Sequence, residues 1–505
     1  MEFLNTVISW LMKKRIHQIE LFLKYPHDVQ REWLKKLLQS ARDTEWGQRH
    51  EFKSVTSPDI FRERLPLVDY EALKPYINRL KKGEQNILWP TDIKWFAKSS
   101  GTTADKSKFI PVSEEALEEC HFKGGKDLLS IYCNNHPDTN LFSGKAIGMG
   151  GTHQIVEVPE QSIYYQGDLS AILMQNLPFW VEFLRTPNLS IALMDEWEAK
   201  IEKMARETMN HDVTNISGVP SWTLLLARRV LEITGKEHLL EVWPNFELFI
   251  HGGVSFLPYR EQFKKLFPSS RMHYLETYNA SEGFFAIQDR ENADDLLLML
   301  DYGIYYEFIE VGELTRDYPP AISLDEVRTG TNYALVITTN AGLWRYMIGD
   351  TIQFTSVNPY RIKITGRTSS YINAFGEELI VDNAEKALAI ACKRCRCNII
   401  DYTAAPVYID ENQRGAHEWL IEFETPPAEM AFFTEIFDNA LKSLNSDYEA
   451  KRYHNMILSE PILRVMPRNT FYNWLKSKGK LGGQHKVPRL FNGRKYVDEI
   501  LQMIS

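Results

Sequence analysis

The sequence has few cysteines, no excess of positive charge and no long hydrophobic run. Five cysteines among 505 residues are too few for a disulfide scaffold. Acidic residues outnumber basic ones, 67 against 58, and the resulting formal charge of −9 argues against non-specific nucleic-acid binding. No stretch approaches the roughly 20 apolar residues that span a bilayer. The segment MEFLNTVISWLMKKR (1–15) carries its positive charges after a short apolar run, the reverse of a secretory signal. We therefore expect a cytoplasmic protein without a nucleic-acid or membrane partner.

Three of the cysteines, Cys392, Cys395 and Cys397, lie close together in the sequence. A structural metal site would need a fourth ligand at similar spacing, and the neighbouring sequence offers none. Reduced thiols on a helix are the expectation, and a metal site is the alternative.

The residues that are abundant indicate a large globular protein. Hydrophobic residues make up 44% of the chain, which excludes extensive disorder. QREWLKKLLQSA (30–41) and WTLLLARRVLEIT (222–234) have the apolar spacing of packed helices, whereas AIGMGG (146–151) and YALVITTN (333–340) are typical of buried strands. A helix lying on a membrane is the alternative for the first segment. This alternation predicts an α/β domain over residues 1–365.

The C-terminal part of the chain has a different pattern. WLIEFE (419–424) alternates apolar and polar residues, which predicts a strand that pairs with PVYI (406–409). PPAEMAFFTEIFDNALKSL (426–444) begins with prolines, which suit the start of a helix. We predict a small α+β domain over residues 366–505, with its boundary in the small polar residues of ITGRTSSY (364–371).

The segment WFAKSSGTTADKSKFIPVS (95–113) is the most informative in chemical terms. Its serines and threonines offer hydroxyl groups to phosphate oxygens, its glycine permits close approach of the backbone, and Lys106 and Lys108 balance the charge. No Gly-Lys-Ser/Thr sequence ends the loop, which argues against a P-loop NTPase. The alternative is a polar surface turn.

Two acidic residues stand beside small residues. Glu282, in YNASEG (278–283), offers the hard oxygen atoms that Mg²⁺ prefers, and a helix N-cap is the alternative. Asp350 follows Gly349 in a predicted turn, where its carboxylate can accept two hydrogen bonds from a ribose diol. An ordinary turn is the alternative for this pair.

The order of these motifs is more informative than any one of them. SSGTTADKSK, HGGVSFLPYREQF, YNASEGFFA, RYMIGD and GR…FGEE follow one another as in the adenylate-forming, acyl-activating ligases. Over essentially its whole length the chain resembles the Gretchen Hagen acyl acid–amido synthetases, the auxin-responsive conjugating enzymes of plants and their bacterial relatives, and the bacterial members in particular. The resemblance implies a large N-terminal domain capped by a small mobile C-terminal domain. It also implies that ATP and Mg²⁺ are used to adenylate a carboxylic acid, whose acyl group then passes to the amine of an amino acid.

The resemblance implies roles for individual residues. The nucleotide would be bound by Ser99, Ser100, Gly101, Thr102, Thr103, Gly252, Gly253, Tyr278, Asn279, Ala280, Ser281, Asp350 and Arg367. In this set the phosphates would be held by Ser99, Ser100, Thr102 and Thr103, and adenine would be enclosed by Gly252, Gly253 and Tyr278. Asp350 would hold the ribose hydroxyls, and Arg367 would contact ribose or phosphate. Two catalytic lysines are implied, Lys108 for the phosphate charge and Lys486 as the C-terminal lysine that enters the site. Glu282 would bind Mg²⁺.

The chain departs from the family pattern at two places. Asp105 stands where the family loop usually has a second glycine, and a carboxylate beside phosphates is unfavourable unless it points away or pairs with Lys106. The C-terminal lysine motif is also loosely matched, so Lys478 and Lys480 compete with Lys486 for its role.

An apolar pocket for the acyl group is expected beside the adenylate. Phe284 and Phe285 follow the proposed Mg²⁺ ligand directly, and Val219 begins the segment VPSW (219–222). All three are candidates for the pocket wall, with core packing as the alternative for the two phenylalanines. An acyl-CoA ligase of the same superfamily and a catalytically idle nucleotide-binding protein are the alternative functions. We expect a monomer.

Overall fold

A computed structural model gives the coordinates of most of the chain. It describes residues 15–99, 108–158, 162–253, 256, 259–314, 316–368, 371–372, 374–375, 377, 379–408, 415–452, 458–479 and 486–504. Within these ranges, no helix combines the length and the apolar character that crossing a bilayer requires.

Helices occur in both halves of the chain. The α-helices are α1 (Ile16–Lys24), α2 (Pro26–Ala41), α3 (Glu45–Arg49), α4 (Pro58–Arg64), α5 (Tyr70–Lys81), α6 (Glu114–Ala116), α7 (Lys123–Asn135), α8 (Leu169–Asn176), α9 (Leu189–Ala192), α10 (Trp197–Thr208), α11 (Pro220–Thr234), α12 (Arg260–Leu266), α13 (Val381–Cys395), α14 (Met430–Leu444), α15 (Ser446–Arg452), α16 (Thr470–Ser477) and α17 (Lys495–Ile504). A π-helical segment, Leu117–Phe122, joins α6 to α7. Short 3₁₀ turns cover Phe52–Ser54, Leu141–Ser143, Phe179–Leu184, Leu239–Glu241, Val311–Glu313 and Leu324–Glu326.

The strands also run along most of the chain. They are β1 (Trp95–Ser99), β2 (Lys108–Val112), β3 (Lys145–Gly148), β4 (His153–Val158), β5 (Ser162–Gly167), β6 (Arg185–Thr186), β7 (Val213–Ser217), β8 (Leu248–Gly252), β9 (His273–Ala280), β10 (Gly283–Ile287), β11 (Leu296–Leu298), β12 (Ile304–Glu310), β13 (Ile322–Ser323), β14 (Asn332–Thr339), β15 (Tyr346–Val357), β16 (Tyr360–Arg367), β17 (Tyr371–Ile372), β18 (Leu379–Ile380), β19 (Asn398–Val407), β20 (Ala416–Thr425) and β21 (Ile462–Met466).

One mixed sheet of 12 strands organises the N-terminal domain, in the order β13-β12-β14-β15-β16-β11-β10-β9-β8-β7-β3-β6. Its strands pair in parallel from β9 through β8, β7 and β3 to β6, and antiparallel from β9 to β13. A second sheet, β2-β1-β5-β4, places Ser99 opposite Lys108 in register. The predicted α/β class of this large domain is confirmed.

A separate hydrophobic core belongs to the C-terminal domain. The sheet β19-β20-β21 packs on α13 and α14, and the side chains of Trp419, Phe433, Phe437 and Leu441 are fully buried between them. The pairing of β19 with β20 includes Pro406 opposite His417. This part of the chain is the small α+β domain expected from the sequence.

Local sequence explains several element boundaries. The helices predicted over 30–41 and 222–234 lie within α2 and α11, and the strand over 333–340 corresponds to β14. Helix α11 begins with Pro220 and ends at Gly235, which adopts a left-handed φ of 65° that glycine accepts without strain. The strand predicted over 146–151 ends earlier, at Gly148.

None of the five cysteines forms a disulfide bond. Cys392 and Cys395 lie on α13, as expected, and Cys397 follows it. A hydrogen bond between the thiols of Cys392 and Cys397, together with burial, raises the pKa of Cys392.

Candidate active site

A cavity of about 1320 Å³ lies at the carboxyl ends of the parallel strands. Its described lining includes the ends of β3, β7 and β8, at Gly148, Ser217 and Gly252. Trp474 and Lys486 line it from the C-terminal domain. Ligands of open α/β sheets bind at this edge, where neighbouring loops diverge. The cavity is therefore the candidate active site.

Two adjacent glycines form a bare stretch of backbone on the cavity wall. A Cβ atom at Gly252 would lie 2.5 Å from the carbonyl oxygen of Thr277 on the neighbouring strand β9, so a side chain has no room there. Gly253 has a left-handed φ of 78°, which disfavours other residues. Both glycines line the cavity, and they leave a flat surface of the kind expected beneath adenine.

A hydrogen-bonded cluster of three side chains lies on the wall next to this surface. The hydroxyl of Tyr278 donates to Oδ2 of Asp350 at 2.7 Å, and Nε of Arg367 donates to Oδ1 at 2.8 Å. Burial and the negative charge of Asp350 raise the pKa of Tyr278 well above its usual value. The same carboxylate raises the pKa of Arg367, so both donors keep their protons. The cluster fixes a buried carboxylate at the edge of the cavity.

Asp350 lies inside a strand rather than in the turn that the sequence predicted. Strand β15 runs from Tyr346 to Val357, and Asp350 pairs with Arg367 across β15 and β16. Gly349, with a φ of 90°, distorts the strand just before it. A carboxylate has about four acceptor positions, so two remain after Tyr278 and Arg367 have bound. A diol on the ligand fits these two positions.

Glu282 lies in the turn between β9 and β10, so the predicted turn of small residues is confirmed. Its side chain is buried, and desolvation together with the charge of Asp350 raises the pKa of Glu282 to about 7, against the opposing charges of Lys108 and Arg367. The Oγ atom of Ser281 is buried and has no hydrogen-bond partner among the described residues. A desolvated carboxylate beside an unsatisfied hydroxyl fits a hard cation such as Mg²⁺.

Lys486 reaches the cavity from the C-terminal domain. Its Nζ donates a hydrogen bond to the carbonyl oxygen of Gly253. The side chain remains accessible from the cavity, but protein surrounds it, and this desolvation and the charge of Arg367 lower the pKa of Lys486 to about 8. Of its two sequence competitors, Lys478 instead forms an ion pair with Glu499 at 3.1 Å, and Lys480 lies outside the described residues.

The predicted phosphate loop is described only at its two ends. Ser99 lines the cavity at the end of β1, and Lys108 begins β2. The Nζ atom of Lys108 lies 5.9 Å from the centre of the Tyr70 ring, and its charge acts on Glu282. Ser100, Gly101, Thr102, Thr103, Asp105 and Lys106 lie outside the described residues, and their roles stay predictions.

The remaining predicted nucleotide contacts, Asn279, Ala280 and Ser281, line the same cavity as Glu282. They lie at the end of β9 and in the following turn. Three segments distant in sequence therefore meet here: the end of β9, the paired strands β15 and β16, and the loop that carries Lys486.

The structure places Phe284 and Phe285, which were expected to border the acyl pocket, in the core of the large domain. Strand β10 lies in the middle of the large sheet and is buried along its whole length, so side chains on both of its faces enter the core. The ring of Phe284 packs over Gly124, and the ring centre of Phe285 lies 4.8 Å from that of Tyr278. Neither residue is among the described residues that line the cavity.

The apolar part of the cavity is formed by other elements. Val219 lines it, as predicted, but most of its wall comes from the segment around α8 and from two tryptophans: Leu169, Leu173, Met174, Leu177, Trp197 and Trp222. The neighbouring loop is held by the buried Lys200, whose Nζ donates to the carbonyl oxygens of Gly150 and Gly151 at 2.5 and 3.2 Å. Leu173 and Met174 of α8 are only partly buried, and this distinguishes them from Leu169 on the same helix, which is buried in the core.

Comparison with family models gives three matches in chain order. Residues 15–272 match the GH3 family N-terminal domain, residues 297–367 the GH3 family central domain, and residues 382–495 the GH3 family C-terminal domain. Among curated proteins, the chain is 22% identical to the indole-3-acetic acid-amido synthetase GH3.3 of Arabidopsis thaliana, over 94% of this chain and 91% of that one. It is 24% identical to the jasmonoyl-L-amino acid synthetase JAR6 of Nicotiana attenuata, over 98% and 95% of the two chains.

Solved structures share the fold. The GH3.15 acyl acid amido synthetase superposes with a TM-score of 0.77 at 16% identity, covering 97% of this chain and 96% of that one. A 2-hydroxyisobutyryl-CoA ligase in its postadenylation state, in complex with 2-HIB-AMP, superposes with a TM-score of 0.57 at 12% identity, covering 94% and 91%. The chain thus has the fold of an acyl acid amido synthetase and, more distantly, that of an adenylate-forming CoA ligase.

Proposed function

The chain belongs to the GH3 family, and we propose that it is an ATP-dependent acyl acid–amido synthetase. It activates a carboxylic acid as an acyl-adenylate and then passes the acyl group to the amine of an amino acid. The observation that carries this proposal is the meeting of Asp350, Glu282 and Lys486 on one cavity beside the flat backbone of Gly252 and Gly253. Both curated relatives named above, which span nearly the same length, are amido synthetases of this kind.

The first step needs alignment and charge rather than a protein nucleophile. An oxygen of the acid attacks the α-phosphorus of ATP, the bond to pyrophosphate breaks, and an acyl-adenylate forms. Asp350 accepts hydrogen bonds from the ribose hydroxyls, and Tyr278 and Arg367 hold it in place. Lys486, at the end of the Gly253 surface, supplies positive charge to the reacting phosphate. The predicted stacking of the Tyr278 ring on adenine stays part of the proposal.

The residues around Glu282 fit a magnesium ion. Desolvation raises the pKa of the buried Glu282 carboxylate, so a bound cation stabilises its ionised form strongly. The Oγ atom of Ser281 offers a second oxygen ligand. Bound Mg²⁺ would supply positive charge that offsets the charge of the phosphates. Glu282 and Ser281 would hold the ion, and Lys108 would add charge from the phosphate side.

The second step transfers the acyl group. The amine of the amino acid, in its deprotonated form, attacks the acyl carbon, and AMP leaves with the electron pair of the broken bond. The acyl substrate is an apolar acid, because its side of the cavity is lined by leucines, Met174 and Trp222. Since none of the five cysteines forms a disulfide bond, we propose a cytoplasmic location for a protein that acts on small substrates, and we propose a monomer.

A two-stage assay tests the proposal. A panel of apolar carboxylic acids is first screened by ATP–pyrophosphate exchange with Mg²⁺. Each active acid is then supplied with amino acids or with coenzyme A. Amide formation with release of AMP is expected. Thioester formation without amide would make the protein an acyl-CoA ligase, and no exchange with any acid would make it a nucleotide-binding protein without this activity.

A further inference from the structure

Two histidines and a glutamate from three separate segments meet beside the cavity, where His273 and Glu291 belong to its lining and His136 lies next to them. His136 follows the end of α7, His273 begins β9, and Glu291 lies in the loop between β10 and β11. Nδ1 of His273 lies 2.5 Å from Oε1 of Glu291, and Nε2 of His136 lies 3.5 Å from the same oxygen. The centres of the two imidazole rings lie 3.9 Å apart, and their planes are tilted by 42°.

The spacing of these atoms suits a shared metal ion. One donor atom from each residue lies within 4.8 Å of the other two. Bonds of about 2.0–2.2 Å to a tetrahedral ion place its donors roughly 3.4 Å apart, so small side-chain rotations bring the three atoms onto one ion. Two imidazole nitrogens and one carboxylate oxygen form a donor set used by zinc when the fourth position is open to solvent.

The charges around the cluster favour a cation. The two nearby arginines have other partners: Arg290 pairs with Asp295 at 2.9 Å, and Arg361 pairs with Asp289 at 2.6 Å. Glu247 accepts hydrogen bonds from Tyr132 and Thr139 and lies behind the rings. Imidazole nitrogen atoms and carboxylate oxygen atoms are both ligands that zinc accepts.

We propose that His136, His273 and Glu291 form a binding site for a divalent transition metal, of which zinc fits the donor set best. The side chains are 21%, 24% and 55% exposed, so an ion can enter from solvent. The site is distinct from the magnesium site proposed at Glu282, where the ligands are oxygen atoms. Because β9 begins at His273 and ends beside the catalytic residues, a metal here ties α7 and the β10–β11 loop to the strand that carries Tyr278.

The experiment measures metal binding by the full chain in the absence of ATP and acid. Protein treated with a chelator is titrated with Zn²⁺ by calorimetry, and with Co²⁺ by visible absorption. One equivalent of Zn²⁺ is expected to bind and to raise the midpoint of thermal unfolding, and Co²⁺ should give the d–d bands of a low-coordinate site. His136→Ala and Glu291→Gln should each weaken binding by about tenfold or more.

A matched control is available at His17, whose imidazole lies 3.3 Å from Glu20 without a second histidine. His17→Ala should bind zinc as the unaltered protein does. Circular dichroism of the chelated variants checks that each is folded. The proposal would be overturned if the unaltered protein failed to bind one equivalent of Zn²⁺, or if His136→Ala and Glu291→Gln bound Zn²⁺ as tightly as the unaltered protein. Neither result bears on the ligase activity, because no step of that reaction is measured.

Discussion

Tyr278 donates a 2.7 Å hydrogen bond to Asp350, which lies 72 positions later in the chain. The tyrosine belongs to the strand that leads to Glu282, and the aspartate belongs to the strand paired with Arg367. A single buried hydrogen bond thus joins the segment proposed to hold Mg²⁺ to the segment proposed to hold the ribose.

Removing this hydrogen bond tests whether Tyr278 positions Asp350. Tyr278→Phe leaves the aromatic ring in place but removes a donor to a charged group, an interaction of about 1.5–3 kcal/mol. We expect KM for ATP in pyrophosphate exchange to rise by about tenfold, with a smaller change in kcat. Tyr302→Phe is the matched control, because Tyr302 donates to the buried Asp127 at 2.8 Å, away from the cavity. A KM unchanged in the first variant, or changed equally in both, contradicts the assignment.

Glu282→Gln tests the magnesium site. The substitution keeps the shape of the side chain but removes the charge that binds the cation, so pyrophosphate exchange should be abolished. The folded protein should not lose stability. Because burial raises the pKa of Glu282 to about 7, the native state binds this proton more tightly than the unfolded chain, and the carboxylate reduces stability as pH rises toward 7. Thermal unfolding at pH 8 without nucleotide should therefore show the variant at least as stable as the unaltered protein.

The raised pKa of Glu282 also predicts how pyrophosphate exchange depends on pH and on the Mg²⁺ concentration. Below about pH 7 the carboxyl is protonated and binds a cation poorly, so exchange at low Mg²⁺ should fall as pH decreases through 7. Higher Mg²⁺ should move the midpoint of this fall to lower pH. A midpoint that does not respond to Mg²⁺ would remove Glu282 from metal binding.

The lowered pKa of Lys486 predicts that the adenylation rate declines at alkaline pH. Since its pKa is lowered to about 8, the lysine loses its charge as pH rises through 8, and adenylation should decline there. Lys486→Ala should reduce the adenylation rate by about 10²-fold. Lys486→Arg should retain part of the rate without the alkaline decline. Lys478→Ala, which breaks the ion pair with Glu499, is the control and should leave the rate unchanged.

The acyl pocket is tested by filling it. Leu173→Trp adds volume to the apolar wall, so KM for larger acids should rise while KM for ATP stays the same. Phe284→Leu is the comparison. Because Phe284 lies in the core, its replacement should lower stability by about 1 kcal/mol or more without changing the preference among acids. A changed preference among acids in Phe284→Leu would instead indicate that Phe284 borders the acyl pocket.

Elements whose pattern is local were predictable from the sequence. The apolar spacing of α2, α11 and α14 predicted helices, the alternation of β20 predicted a strand, and these elements form where predicted. The alternation suggested one buried face for β20, but this central strand is buried on both faces, and Glu418 and Glu422 are buried with it. The order of strands in the large sheet depends on contacts between distant segments, which periodicity does not record. Asp350 was assigned to a turn because Gly-Asp is a turn signal, but pairing with Arg367 extends the strand through it.

The candidate site was predictable only in part. Glu282 stood out because a carboxylate among small residues breaks an apolar context, and Lys486 emerged from family resemblance rather than from spacing. Phe284 and Phe285 were assigned to the pocket wall because an apolar run does not show whether its side chains face a core or a cavity. The residues of α8 have the composition of a core helix for the same reason. The cluster of His136, His273 and Glu291 has no sequence signal, since its members come together only through the fold.

The contact between Lys486 and the carbonyl of Gly253 joins two domains at the point of reaction. In the proposed mechanism the lysine acts on the nucleotide only while it keeps this contact. We therefore propose that the first half-reaction is coupled to a rigid-body movement of the C-terminal domain. Added glycerol or sucrose raises the viscosity, which slows the diffusion of whole domains but not the breaking of bonds. Turnover that requires both half-reactions should therefore become slower. The size of this decrease measures the contribution of domain movement to the turnover time.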